Sequence, residues 1–141
     1  MPWWIPAILT AFLWGVSYTA LEQVIKYIDK TTYIFLSSFL FLGVYGFLSW
    51  NHVSNDLITL SHKSSVIFWV LLASVSSILG NYLALLAIEH SNASLAAALE
   101  ISYPFWCMLI AWLFFNQTMT SQVMFGSIVI FMGVYLIATG K

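Results

Sequence analysis

ASLAAALEISYPFWCMLIAWLFF, residues 93–115, decides the fold. The run from Ala93 to Phe115 holds a single charged side chain, Glu100. About 20 mostly apolar residues in a helix cross the ~30 Å hydrocarbon core of a bilayer. A chain crossing lipid must satisfy its backbone polar groups internally, and a lone helix does so while a lone strand does not. The segment therefore reads as a spanning helix despite its aromatic and β-branched residues. An ionised acid in hydrocarbon costs at least ~2.5–3.5 kcal/mol on insertion scales. Glu100 is expected to face protein or a water-filled path.

The rest of the chain follows the same pattern. Of 141 residues, 62% are hydrophobic and 6% charged. The mean hydropathy is +0.95, beyond the range of soluble domains. Four more apolar segments are predicted to span: Trp3–Gln23, Thr32–Trp50, Val66–Ile88 and Gln122–Ala138. Lys26, Asp29 and Lys30 mark the first connector, and Asn51–Ser65 is the longest. Glu89-His90-Ser91-Asn92 reads as a tight turn, and Asn116–Ser121 as the last connector, with Thr120 or Ser121 as N-cap. Trp3, Trp4, Tyr27 and Trp50 lie at segment ends, as an aromatic belt would. Residues 1–9 hold no Lys or Arg, so the first segment is expected to be a retained helix and not a secretory signal. The expected fold is all-α and polytopic, with five transmembrane helices in one bundle forming a single domain over residues 1–141.

Charge and residue chemistry exclude several functions. The net charge is −1, with no basic stripe for nucleic acid. Cys107 is alone, so neither a disulfide framework nor a cysteine metal site is expected. His52 and His62 match no metal-ligand spacing. No nucleophile–base pair, phosphate loop or cofactor motif stands in the chain, so neither an enzyme nor a resident cofactor is expected. Five spans put Lys26, Lys30 and Lys141 on one side and Lys63 with the N-terminus on the other. Positive-inside logic favours an outside N-terminus, and a bias this small also permits insertion in both orientations.

Helical rise of ~1.5 Å per residue puts Glu100 ~10 Å below the turn at 89–92. Asn81 on the third spanning helix, and Ser17 and Tyr18 on the first, reach similar depth. These residues can converge on one polar pocket, with Asn81 or Tyr18 donating to the carboxylate. A carboxyl that exchanges its proton there can couple proton movement to a substrate. The alternative is structural, a protonated acid bonded to a neighbouring helix. Pro104, one turn after Glu100, lacks an N–H and clashes with the carbonyl of residue 100, which predicts a kink. Trp14, Tyr18, Tyr82, Tyr103 and Trp106 offer aromatic faces to a cationic or planar substrate, Trp14 and Tyr103 foremost. Glu22, Glu89 and His90 fall at membrane edges and read as solvated groups, with a Glu–His proton relay as the alternative. Gly126 and Gly133, one heptad apart, let another helix approach, within one protomer or across a dimer seam. Gly43 and Gly46 do the same on the second helix.

Several of these residues give the chain a family likeness. Trp14-Gly15 followed by Lys26, the block from Ala87 to Ala97, Pro104, and Gln122, Gly126, Ile130, Gly133 and Val134 together resemble the EamA domain of the drug/metabolite transporter superfamily. The resemblance covers nearly the whole chain. It implies a half-size member that pairs with a second five-helix unit, since many members carry two such domains in inverted orientation. The partner is expected to be a second copy, antiparallel where dual insertion operates, or a similar half-size chain. The glycine heptad also resembles the dimer seam of small multidrug resistance proteins. One departure stands out: the family's glycine–glutamate pair after the fourth helix is Asn116-Gln117 here. The buried acid, the kink beside it and this resemblance together point to a secondary transporter in a bacterial inner membrane, exporting a small polar or cationic metabolite with proton coupling through Glu100, or to an uncoupled facilitator if Glu100 only binds cargo. A non-transporting membrane subunit that stabilises or regulates a partner is the alternative.

Overall fold

The computed structural model describes Pro2 and residues 4–140. Trp3 of the expected aromatic belt, and Met1 and Lys141 of the charge comparison, lie outside the described residues, as does the side chain of Trp4. Among the described residues seven helices follow in order: α1 (Trp4–Val24), α2 (Lys30–Ser49), α3 (Val53–His62), α4 (Ser64–His90), α5 (Ala93–Glu100), α6 (Tyr103–Phe115) and α7 (Ser121–Thr139). Within these residues five stretches are long and apolar enough to cross a membrane: Ile5–Val24, Lys30–Ser49, Ser65–His90, Ala93–Phe115 and Ser121–Thr139. They agree with the expected spans to within a few residues.

The helix ends follow local chemistry. Asp29 caps α2, accepting from the Thr31 N–H at 2.8 Å and from the Thr31 hydroxyl. Thr120 caps α7, its hydroxyl accepting from the Val123 N–H at 3.4 Å. Asn116 ends α6 in the left-handed region, at φ 49° and ψ 32°. Glycine suits that conformation best and asparagine tolerates it. Polar side chains within the spans bond back to their own helix, as Thr19 does to the Gly15 carbonyl at 2.9 Å and Ser38 to that of Ile34 at 2.7 Å.

Two expected connectors are corrected. Asn51–Ser65 is not an open polar loop, because α3 occupies most of it. At 100° per residue, Val53, Leu57 and Leu60 form one stripe of α3, and Asn55 and His62 lie opposite. That amphipathic pattern makes a helix worth forming between two spanning segments. Glu89 and His90 are also not part of the turn they were assigned to: they complete the last turn of α4, leaving Ser91 and Asn92 as the link to α5.

The chain divides into two compact units. One comprises Met1–Glu22 with Ala87–Lys141, the other Gln23–Leu86. In the first, α7 packs along α5 and α6, with the rings of Phe105 and Phe131 4.8 Å apart. Its described buried residues are Tyr18, Ile88, Ala93, Ala96 and Ser127. The second unit contains α2, α3 and most of α4, and buries Leu85. Phe12, Leu40, Phe47, Phe114, Phe125 and Leu136 are all more than 60% exposed. Water would oppose that outward apolar surface, whereas lipid accepts it. The long spanning helices, unlike α3, are apolar all round, the pattern of membrane spans.

Candidate functional site

The site is built on α1 and α5, both in the first unit. Trp14, Tyr18 and Glu22 recur every fourth residue and share one face of α1. The Trp14 and Tyr18 rings lie 6.0 Å apart at a 58° tilt. Tyr18 is 6% exposed, and its hydroxyl donates to Oε2 of Glu100. One turn further along α1, Oε2 of Glu22 accepts the N–H of Ala93 at 2.9 Å. Residue numbers rise along α1 as they fall along α5, so the two helices pass antiparallel. Two polar ties, one at each end of α5, hold that short helix against α1.

Glu100 closes α5. Regular helical bonding lapses at Ile101 and Ser102, and α6 begins at Tyr103 with Pro104 in its first turn. The chain tightens there: the Ser102 N–H reaches the Leu99 carbonyl at 3.3 Å, and the Phe105 N–H that of Ser102 at 3.0 Å. The expected kink within a continuous helix is therefore an interruption, in the turn where the proline ring crowds the carbonyl of residue 100. Proline in a first turn is otherwise at no disadvantage, since the N–H it lacks would have no helical partner. Glu100 thus stands at the end of a half-helix within a span, with an exposed side left over from its bond to Tyr18.

The other anticipated residues are placed as follows. Asn81 lies on α4 in the second unit, exposed, its amide donating to the Ser77 carbonyl one turn back at 2.9 Å. Tyr18 is the residue that donates to Glu100. Ser17 is half-buried, and Trp14 and Tyr103 are 52% and 65% exposed. At Gly126 and Gly133 an added Cβ would meet nothing within 4 Å, and the same holds at Gly43 and Gly46. Among the described residues no group of three or more His, Cys, Asp or Glu is placed to hold a metal ion.

Two residues escaped the sequence reading. Glu22 is not simply solvated, since it bonds the start of α5. Asn92 is more than a turn residue: it caps α5, its side chain accepting from the Leu95 N–H at 2.9 Å. Asparagine directly before an apolar run is a cap signal. The spacing of Glu22 from Tyr18 was the available hint that both face the same neighbour.

An all-α chain with five membrane-crossing helices, an acid inside one of them and an interrupted helix beside that acid has the build of a polytopic transport protein. The EamA-like transporter family model matches residues 1–139, and the chain belongs to that family. It is an integral membrane protein of a transporter family, not of an enzyme family. No curated protein and no solved structure matches it.

Proposed function

We propose that the chain is a secondary transporter that exports a small polar or cationic metabolite in exchange for protons through Glu100. The observation that carries this reading is the Tyr18–Glu100 hydrogen bond at the end of a half-helix within a span. Ionised, Glu100 accepts the Tyr18 hydroxyl and attracts a cation with its exposed side. A proton arriving at the carboxyl removes that charge and releases the cation. Proton and cargo thus compete for one group, and an outward cargo flux follows an inward proton flux. Trp14 and Tyr103 supply exposed aromatic faces to an organic cation.

The working unit in this reading is a pair, two copies of this chain or this chain with a similar five-helix unit, placed in a bacterial inner membrane. Support comes from Gly126 and Gly133, where the space a side chain would fill is open, so packing within their own unit does not demand glycine. A close-approaching partner helix does. Alternating access then arises from rocking one unit against the other.

Purified protein in liposomes under an imposed pH gradient tests the reading, with small organic cations as cargo and an internal pH dye as second readout. Wild type is expected to couple cation and proton movement. Glu100→Gln keeps shape and one hydrogen bond but cannot titrate, and should lose gradient-driven accumulation. Full gradient-driven transport by Glu100→Gln would remove Glu100 from the coupling role. Wild type that moves no solute, yet stabilises a co-expressed half-size chain, would favour the regulatory subunit.

A further inference from the structure

We propose that Glu22 is the positioning residue for Glu100: by holding the start of α5 it sets the register in which Tyr18 meets the carboxylate. The functional meaning of this rests on Glu100 as the coupling group, but the geometry does not.

Helix α5 spans eight residues, Ala93–Glu100, and is separated from α6 by the interruption at Ile101–Ser102. A helix this short is marginal alone, because nucleation is costly and few bonds repay it. Interruption at its far end also removes the lever by which a long helix would hold it straight. Packing along α7 supports it, and a directional polar bond adds a fix on its rotation and height. Asn92 satisfies the Leu95 N–H but ties α5 only to its own preceding residue. Glu22 satisfies the Ala93 N–H from a different helix, 71 residues earlier in the chain. Carboxylates at helix N-termini are favoured by the helix dipole as well as by the bond itself. Ala93 and Ala96 are 4% and 1% exposed, so the gripped end of α5 is also its packed end.

The geometry makes the two ties interdependent. Tyr18 and Glu22 are one turn apart, ~6 Å along α1, and their side chains diverge to the two ends of α5. With the Ala93 end held, the remaining freedom of α5 is small, and Glu100 is delivered to the Tyr18 hydroxyl. With it free, α5 keeps its packing along α7 but loses the directional bond at its start, and a side chain at its other end, beside the interruption, moves furthest. Glu22 touches neither proton nor cargo in this scheme. It acts through the backbone of α5.

Infrared spectra of the full chain in lipid vesicles test this. The Glu100 carboxyl bands are assigned as those lost in Glu100→Gln, and Tyr18→Phe gives their position without the tyrosine donor. Glu22→Ala should move these bands from the wild-type position to the Tyr18→Phe position. Glu22→Gln, whose amide oxygen still accepts from Ala93, should leave them in place. Ala93→Pro deletes the same bond from the donor side, at a first helical position that proline suits and after a residue already extended (φ −162°, ψ 166°), and should shift them as Glu22→Ala does. It also decides the matter if Glu22→Ala does not fold. Asn92→Ala weakens the same helix end without touching α1, and should leave the bands unmoved. The proposal is overturned if Glu22→Ala and Ala93→Pro keep the wild-type position, or if Tyr18→Phe leaves the bands where they were. A Glu100→Gln protein with full gradient-driven transport sinks the coupling role alone, since the band assignments do not depend on transport.

Discussion

Removing the Tyr18 hydroxyl isolates the energy of the tie on which the site depends. Tyr18→Phe keeps the ring, which is 6% exposed, and deletes only the donor to Glu100. In water, a hydrogen bond to a charged group contributes ~1.5–3 kcal/mol. Two features reduce that here. Glu100 keeps an exposed side on which it finds other partners. Interhelical bonds in membranes also average ~0.6 kcal/mol with a maximum near ~1.7, because the unfolded chain in lipid finds partners too. The expected coupling between Tyr18 and Glu100 is therefore about 0.6–1.7 kcal/mol, or ~3- to ~20-fold in the unfolding equilibrium. A double-mutant cycle of Tyr18→Phe and Glu100→Gln, read by reversible unfolding in mixed micelles, measures it. Glutamine keeps an acceptor, so Glu100→Ala completes a second cycle with no acceptor at all. Coupling near zero in both cycles would refute the bond as a structural tie.

Three further outcomes are expected. Gly133→Leu fills the open space beside the last helix and should shift pairing toward monomer, by sedimentation in detergent and single-molecule counting in lipid; an unchanged dimer population rejects that face. Single cysteines along α3 in a Cys107→Ser background should label in a helical pattern, fast at Asn55 and His62 and slow at Val53 and Leu57, as for a helix lying in the membrane interface; uniform fast labelling would mean an open loop. The Thr31 hydroxyl and N–H, which bond the Asp29 carboxylate, hold its pKa below the ordinary value. The folded value being the lower one, this cap contributes above the unfolded pKa and is lost as pH falls through the folded pKa. Wild type should lose stability in that acidic window relative to Asp29→Asn, which still caps but does not titrate; parallel pH profiles would contradict this.

The sequence by itself determined the spans, a disturbance of the helix at Pro104 that it read as a kink, and a cap for the last helix at Thr120 or Ser121. Each depends on residues within a turn or two: hydropathy decides the solvent, proline removes its own bond, and a hydroxyl reaches an N–H three residues on. The same local logic, applied more closely to Val53–His62 and Asn92, would have found α3 and the cap of α5. Which side chain meets Glu100 was a different matter. Tyr18 and Asn81 reach similar depth, and depth is what a residue count supplies. The choice between them turns on the rotation of each helix about its own axis. In a soluble helix a polar face marks that rotation, whereas α1, α4 and α6 are apolar all round and mark none. In the folded chain Tyr18 bonds Glu100, and Glu22, four residues on along the same face of α1, bonds the start of α5. Only the tertiary structure decided these contacts, because they join residues 82 and 71 positions apart that no local pattern connects.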